Sequence, residues 1–285
     1  MSMPIVGLLH PGDMGAAVGH CLTGAGYRVL WASEGRGPDT AARARDAGLI
    51  DVRTSRGVAA EADIIVSVCP PHAALDVAWA VHGFAGIYLD ANAIAPGTAR
   101  EVAQLITGSG GRYVDGGIIG SPPRTPGTTR LYLSGGDAAE IQALFAGTAL
   151  EPRIVPGGDT GASAVKMAYA SWTKGTSALL LAARALAQAE GVEDVLLAEW
   201  ALSQPQLADQ FSRAARSGVT KGWRWVGEME EIAHAMASDG LPDGFHQAAA
   251  EIYRRCPRLT TEVTGADAVK AVLAAVSETD AADRE

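Results

Sequence analysis

The sequence predicts an α/β domain with a doubly wound sheet, followed by an all-helical domain that a long helix joins to it. Short apolar runs alternate with helical segments between residues 4 and 155, which is typical of parallel βαβ units. Beyond Gly158, Ala, Leu, Lys and Met dominate without a strong helix breaker until Gly191. A chain of 285 residues suits two domains, and we expect them at 1–157 and 158–285.

The individual elements follow from hydrophobic spacing and from Gly and Pro breaks. The expected strands are the runs at 4–9, 27–32, 63–68, 86–90, 112–115, 129–134 and 152–155. The expected helices are 12–25, 41–47, 73–81, 96–106, 160–190, 192–203, 205–217, 224–238 and 243–255. Another short helix is expected between the strands at 129–134 and 152–155. We expect a loop at 116–127 (GGIIGSPPRTPG) and fraying in the tail 277–285.

Composition excludes several classes of partner. A formal net charge of -9 disfavours nucleic acid and anionic membrane surfaces, and no run approaches the roughly 20 apolar residues of a membrane span. The three cysteines are far apart, which indicates neither a disulfide framework nor a zinc site. We therefore expect a cytoplasmic protein with no signal peptide and no metal, acting on a small-molecule substrate.

A glycine-bearing turn follows the first strand, in the sequence GLLHPGDMG. In the pattern G-x-G-x-x-G, His10 takes the first glycine's place, and Gly12 and Gly15 take the others. The strand before and the helix after supply the context of a Rossmann-type turn, in which a helix N-terminus holds a dinucleotide pyrophosphate. The candidate cofactor residues are Gly7, His10, Pro11, Gly12, Asp13, Met14 and Gly15. The alternatives are an ordinary βα turn and a histidine that packs beneath it.

The segment after the second strand bears on the choice of dinucleotide. An acid there would bind the ribose 2′-hydroxyl of NAD, and an arginine would accept the 2′-phosphate of NADP. The segment reads WASEGR, with Ser33 at the place of the acid and Arg36 nearby. NADP (NADPH) is favoured, while Glu34 keeps NAD open and Arg36 could instead be a solvated loop residue.

Four stretches in order resemble the β-hydroxyacid dehydrogenase superfamily, which includes 3-hydroxyisobutyrate and 6-phosphogluconate dehydrogenases and the related imine reductases. GDMG resembles its GxMG turn, SVCPPHAA its segment beside the nicotinamide ribose, DANAIAP its substrate loop, and GASAVKMAYA its interdomain-helix motif. The chain is also similar to uncharacterised NAD(P)-dependent oxidoreductases with a 6-phosphogluconate-dehydrogenase-like C-terminal domain. The resemblance implies cofactor contacts at Cys69, Pro70, Pro71 and Asn92, and substrate contacts at Asn92, Ile119, Gly120 and Ser121.

The resemblance also implies that Lys166 is the general acid/base. On a helix, Lys166, Tyr169 and Thr173 share one stripe, which makes Tyr169 a second proton donor and Thr173 a substrate contact. A surface lysine and a half-buried packing tyrosine are the alternatives, and Asn92 could merely cap a loop.

Two departures from the family pattern affect the expected substrate. Ala170 takes the place of the family's asparagine, and Asn92 that of its substrate-loop serine. We expect an NADP-dependent oxidoreductase acting on a small carbonyl or hydroxy compound, with an imine reductase and a non-catalytic dinucleotide sensor as alternatives. The long Ala-rich helix needs a partner surface, which predicts a homodimer.

Overall fold

The computed structural model describes residues 3–260 and 262–277. The chain forms two compact units, of which the first ends at Met167 and the second begins at Ala168. The expected domain limits of 1–157 and 158–285 stay a prediction. The strands of the first unit are β1 (Val6–Leu9), β2 (Val29–Trp31), β3 (Ile50–Asp51), β4 (Ile64–Ser67), β5 (Ile87–Asp90), β6 (Arg112–Ile119), β7 (Thr129–Ser134) and β8 (Leu150–Ile154).

The helices complete the alternation expected from the sequence. Those before Gly161 are α1 (Asp13–Gly24), α2 (Pro38–Asp46), α3 (Ser55–Glu61), α4 (Ala74–Trp79), α5 (Pro96–Gly108) and α6 (Ala138–Leu144). The later ones are α7 (Gly161–Ala189), α8 (Glu193–Ser203), α9 (Leu207–Ser238), α10 (Gly244–Arg255) and α11 (Gly265–Ser277). The predicted fold class, a Rossmann-type sheet followed by a helical region with a long helix, is confirmed.

The sheet has the order β3-β2-β1-β4-β5-β6-β7-β8 among the described residues. All neighbouring pairs are parallel except β6 and β7. Strand order reverses beside β1, so the loops after β1 and β4 leave on opposite sides and open a crevice at the carboxyl ends of the strands. Alternate strand residues enter two separate cores, as Leu8 and Leu9 do, which explains the continuous apolar runs.

Two sequence expectations were wrong because glycines serve close packing. Residues 116–119 belong to β6 and not to a loop. Gly116 permits close packing within the sheet, because a Cβ there would lie 2.9 Å from the Asp90 carbonyl oxygen. Likewise the two helices expected at 205–217 and 224–238 are one helix, α9, which begins at Leu207 and continues through 218–223. A Cβ on Gly218 would lie 3.3 Å from Cys256 Sγ, and one on Gly222 would lie 3.4 Å from Tyr253 Cδ1. These glycines let α10 approach α9.

The remaining differences concern short or terminal elements. No strand or helix is expected from the sequence at the positions of β3, α3 or α11. Helix α3 begins at an N-cap in which Thr54 Oγ1 accepts a 2.9 Å hydrogen bond from the Gly57 amide. The expected frayed tail lies outside the described residues apart from Ser277. None of the helices in the described part of the chain combines the length and apolarity needed to cross a membrane.

Candidate functional site

The turn between β1 and α1 depends on two glycines in different ways. A Cβ on Gly15 would overlap the His10 carbonyl oxygen and lie 3.2 Å from its carbon, so only glycine fits beneath the turn. A Cβ on Gly12 would have no protein atom within 4 Å. Gly12 is the N-cap of α1 and supplies no side-chain cap to the free amides of the first turn. Open space therefore faces a helix N-terminus that attracts anions.

Most of the other residues predicted in the turn support its backbone. Gly7 lies within β1, where a Cβ would overlap Val58 Cγ1, so this glycine serves packing against α3. The Pro11 carbonyl accepts a 3.4 Å bond from Arg43 Nε. Met14 packs against the core beneath α1, and the exposed Asp13 pairs with Arg124 at 3.1 Å.

His10 has the backbone conformation of the glycine that it replaces. Its φ is 66°, a left-handed value that histidine adopts more readily than most side chains. Its Nδ1 lies 3.3 Å from Nη2 of Arg36. Burial lowers the pKa of His10 to about 4, and the Arg36 charge adds to the fall. The imidazole is therefore neutral near pH 7 and accepts the hydrogen bond from Arg36.

A carboxylate that sequence reasoning missed lies beside the predicted ribose residues. Asp51, at the end of β3, accepts bonds from the amides of Ser33 (3.2 Å) and Arg53 (2.8 Å). Burial acts to raise the pKa of Asp51, but the interactions with the Ser33 side chain and with the two amides outweigh it and leave the pKa lowered. Glu34 is exposed, and its amide donates to the Arg53 carbonyl at 2.9 Å. The sequence offered no signal for Asp51, because β3 has only two residues.

A cavity of about 290 Å³ lies at the carboxyl ends of β1 and β2. Its lining includes Leu9, His10, Ala32, Arg36, Asp76 and Val77. Apolar walls with a few polar groups are typical of small-molecule sites. His10 belongs both to the turn before α1 and to the cavity lining, so the cavity borders that turn.

The loop after β4 is tied to the loop after β5 by Asn92. Asn92 Oδ1 accepts from the Cys69 amide at 2.6 Å, and Nδ2 donates to Ser67 Oγ at 3.1 Å. The Asn92 side chain is buried, so its present bonds hold the segment that contains Cys69, Pro70 and Pro71. Burial raises the pKa of the Cys69 thiol to about 12, with Asp90 adding to the rise. The thiol is therefore neutral.

Asp90 is a buried acid beneath this loop. Its Oδ1 accepts a 3.1 Å bond from the Asn92 amide. Burial raises the pKa of Asp90 to about 7; the Asn92 amide opposes the rise and the Asp115 charge adds to it. Asp90 therefore titrates near neutral pH inside the protein.

Lys166 lies at the same edge of the sheet, on the first turns of α7. Its Nζ donates a 2.9 Å hydrogen bond to the Ile118 carbonyl near the end of β6. Gly117 permits this approach, because a Cβ there would lie 2.8 Å from the Ala162 carbonyl oxygen and 3.0 Å from Lys166 Cβ. The side chain is partly buried, so Lys166 is held in place by the backbone of β6.

A buried cluster fixes the start of α7, and sequence reasoning missed it. Asp115 Oδ2 accepts from the Ser163 amide at 2.8 Å and from Ser134 Oγ at 3.0 Å, while its Oδ1 accepts from Ser163 Oγ at 2.5 Å. Burial raises the pKa of Asp115 and the bonds from Ser163 oppose the rise. A carboxylate at a helix N-terminus also complements the helix dipole. The only signal in the sequence was an acid ending the apolar run RYVD.

The predicted substrate residues fall on different parts of the chain. Ile119 is buried at the end of β6, whereas Gly120 and Ser121 are exposed. Gly120 has φ 133°, and the Ser121 carbonyl accepts a 2.5 Å bond from Thr129 Oγ1. In the second unit, Tyr169 is 49% exposed, and Thr173 Oγ1 donates to the Tyr169 carbonyl at 3.1 Å.

The first unit fits a nicotinamide dinucleotide by its own geometry. The open space at Gly12 suits a pyrophosphate, and the 290 Å³ cavity suits the adenosine half. Lys166 lies at the carboxyl edge of the sheet, where open α/β folds bind ligands. These groups can hold a dinucleotide and place one proton-active amine at the same edge.

A family model described as a domain of unknown function, DUF1932, matches residues 187–256. An uncharacterized 28.5 kDa protein of Methanothermus fervidus is 30% identical over 167 residues, covering 58% of this chain and 63% of that protein. Mitochondrial 3-hydroxyisobutyrate dehydrogenase of Drosophila melanogaster is 25% identical over 146 residues, covering 50% of this chain and 44% of that protein. The chain thus spans less than two thirds of the length of either curated relative.

Solved structures match nearly the whole chain. Conserved protein MTH1747, of unknown function and structurally similar to 3-hydroxyacid dehydrogenases, is 27% identical with a TM-score of 0.65, covering 87% of this chain and 96% of its own. Mycobacterium tuberculosis 3-hydroxyisobutyrate dehydrogenase with L-serine is 18% identical with a TM-score of 0.70, covering 94% and 99%. A reductive aminase from Aspergillus terreus, with NADPH and ethyl levulinate, is 22% identical with a TM-score of 0.56, covering 90% and 94%.

These matches confirm the resemblance to the β-hydroxyacid dehydrogenase superfamily at the level of the fold. The matched structures include a hydroxyacid dehydrogenase and a reductive aminase, and they share the architecture that the sequence predicts. The chain has the fold of the 3-hydroxyisobutyrate dehydrogenase-like proteins, with a match to DUF1932 in its helical second half.

Proposed function

We propose that the protein is an NADP-dependent oxidoreductase that reduces or forms a small carbonyl or hydroxy compound, with Lys166 as the general acid/base. One observation carries the proposal: Lys166 Nζ is held 2.9 Å from the Ile118 carbonyl, at the sheet edge that also presents the Gly12 turn. The hydroxyacid dehydrogenases and reductive aminase of the same fold, including one solved with NADPH, support it.

Lys166 would act on the proton that accompanies hydride transfer. A bound dihydronicotinamide would supply the hydride that the carbonyl carbon takes up. The Lys166 ammonium gives one proton to the carbonyl oxygen, which becomes a hydroxyl, and the neutral amine takes it back in the reverse direction. The bond to Ile118 keeps Nζ in place between these events. Tyr169 remains a candidate for a second donor.

The preference for NADP rests on Arg36 and Ser33 after β2. The Arg36 guanidinium lines the cavity, and a planar guanidinium suits a phosphate dianion. The Asp51 carboxylate beside Ser33 is already bonded to two amides, so it competes less for a ribose hydroxyl. The NADPH complex of the Aspergillus terreus reductive aminase is consistent with this choice.

Imine reduction is a second candidate because of Ala170. This residue stands where the superfamily resemblance expects an asparagine, and it is buried with no polar group. The proton from Lys166 would then go to the imine nitrogen. A panel with NADPH distinguishes the two: turnover of cyclic imines without turnover of aldehydes or keto acids favours imine reduction and contradicts the carbonyl proposal.

The catalytic role of Lys166 is tested by Lys166→Met, with Lys221→Met as the matched control at an exposed position. We expect a loss of about 10²- to 10⁴-fold in kcat for Lys166→Met, with the NADPH affinity and the melting temperature nearly unchanged. Lys221→Met should match the wild type. Retention of full turnover by Lys166→Met would contradict the proposed role and favour a non-catalytic dinucleotide sensor.

We further propose that the chain forms a homodimer through its second unit. Trp172, Leu179 and Leu186 on α7 are 72%, 53% and 64% exposed and are spaced seven residues apart, which is the spacing of a helix–helix seam. Helix α8 carries apolar residues and buries none of them. Light scattering tests this: a monomer at micromolar concentration would refute it.

A further inference from the structure

His10 and Arg36 contact one another beside the cavity, although they come from different elements. His10 follows β1 and Arg36 follows β2. The Arg36 Nη2 atom lies 3.3 Å from His10 Nδ1, and both residues line the 290 Å³ cavity. Asp76 is a carboxylate in the same lining. The pair therefore borders the space assigned above to the adenosine half of the dinucleotide.

The backbone at position 10 does not explain the histidine. Its φ of 66° suits glycine at no steric cost, and glycine is what the dinucleotide pattern places there. A glycine would keep the turn but remove the acceptor that Arg36 uses. The imidazole is therefore accounted for by its contact with Arg36.

The protonation state of His10 is the one that this contact requires. Burial lowers the pKa of His10 to about 4, and Arg36 is the charged group that adds to the fall. A neutral imidazole with its hydrogen on Nε2 accepts from Arg36 through Nδ1. A protonated imidazole would repel the guanidinium.

Arg36 retains unused donors. It is partly buried, and its Nε is a buried atom without a hydrogen-bond partner. Within residues 3–260 and 262–277, no carboxylate forms an ion pair with it, and burial lowers the pKa of Arg36. A half-buried guanidinium with a free donor favours an anionic ligand, and its planar fork suits a phosphate.

We propose that His10 is a positioning residue for cofactor selection, because it holds the Arg36 guanidinium at the place where the 2′-phosphate of NADP binds. This inference rests on the proposed cofactor. His10 acts through Arg36 and distinguishes NADP from NAD, since NAD lacks the 2′-phosphate. Restoring the fingerprint glycine at position 10 should therefore weaken the binding of NADPH rather than improve it.

The test measures dissociation constants for NADPH and NADH by ligand fluorescence in four proteins, namely the wild type, His10→Gly, Arg36→Ala and the double variant. We expect His10→Gly to weaken NADPH binding about tenfold and to change NADH binding less than twofold. The double variant should bind NADPH no more weakly than Arg36→Ala, because His10 acts only through Arg36. Adenosine 2′,5′-bisphosphate, as a competitor, should lose affinity in parallel with NADPH.

The outcomes separate this inference from the proposed function. A wild type that prefers NADPH while His10→Gly retains the full preference overturns the role of His10 alone. A wild type that binds NADPH no more tightly than NADH overturns the proposed cofactor and this role together. Should His10→Gly fold poorly, His10→Ala replaces it, since alanine also lacks the acceptor that Arg36 uses. An unchanged NADPH preference in His10→Ala again overturns the role.

Discussion

Adding one methyl group at Gly15 or at Gly12 should have different consequences, although both glycines lie in the same turn. In Gly15→Ala the new Cβ would overlap the His10 carbonyl oxygen, which also accepts the Gly12 amide at 2.8 Å. Overpacking of this kind costs about 1–3 kcal/mol. At about 2–4 °C per kcal/mol for a unit of this size, the melting temperature should fall by roughly 2–12 °C. Dinucleotide affinity should fall with it, because the turn must shift.

Gly12→Ala is the matched control for stability. Its Cβ would have no protein atom within 4 Å and its φ is -67°. The free energy of unfolding should therefore fall only by the preference of an N-cap for glycine over alanine, which is less than about 1 kcal/mol. The NADPH affinity should nevertheless fall, because the methyl group enters the space assigned to the pyrophosphate. Differential scanning fluorimetry and NADPH titration measure both quantities. Equal melting temperatures for the two variants would contradict the packing role of Gly15. Full NADPH affinity in Gly12→Ala would contradict the pyrophosphate site at Gly12.

Substitutions at three further positions test other parts of the structure. The pKa of Asp90 is raised from 3.8 to about 7, so its ionisation in the folded state is disfavoured and the free energy of unfolding falls as pH rises from about 4 to about 7. Asp90→Asn should flatten this fall, and an unchanged slope over the same range would contradict the shift. Asp115→Ala leaves Ser163 and Ser134 without their buried acceptor. It should lower the free energy of unfolding, measured with urea, by about 3 kcal/mol, whereas Asp115→Asn should lower it less. Equal losses in the two variants would assign the effect to packing and not to the hydrogen bonds. Leu186→Glu places a charge on the apolar stripe of α7 and should shift the protein to monomers in light scattering, while an unchanged dimer would place the interface elsewhere.

Strands and helices could be predicted from the sequence wherever their apolar residues recur at a regular spacing. The runs PIVGLL and DIIVSV become β1 and β4 because both faces of a parallel sheet are buried. The helix-forming composition after Gly158 becomes α7. The positions of Gly12 and Gly15 in the turn before α1 could also be predicted from the local sequence pattern. The backbone conformation and the helix packing of that turn depend on residues that are close in the chain.

Contacts between distant residues could not be predicted in this way. Gly218 and Gly222 resemble helix breakers until α10 is seen to pack on them. Asp115 and Ser163 are 48 positions apart, and Arg36 and His10 are 26 apart. No local pattern predicts that such pairs are in contact. The bonds between Asp115 and Ser163 at the start of α7, and the neutral state of His10, therefore depend on the tertiary structure. The contacts of Asn92 could not be predicted either, because its side-chain amide bonds to Ser67 at the end of β4 and to Cys69 in the loop that follows.

Titration of the wild-type protein with NADPH, followed by nicotinamide fluorescence and repeated with NADH, shows whether the first unit binds a dinucleotide. We expect saturable binding of one NADPH per chain, weaker binding of NADH, and a loss of affinity in Gly12→Ala with little loss of stability. An absence of saturable binding for both dinucleotides, in a protein that is folded by thermal melting, would contradict this expectation.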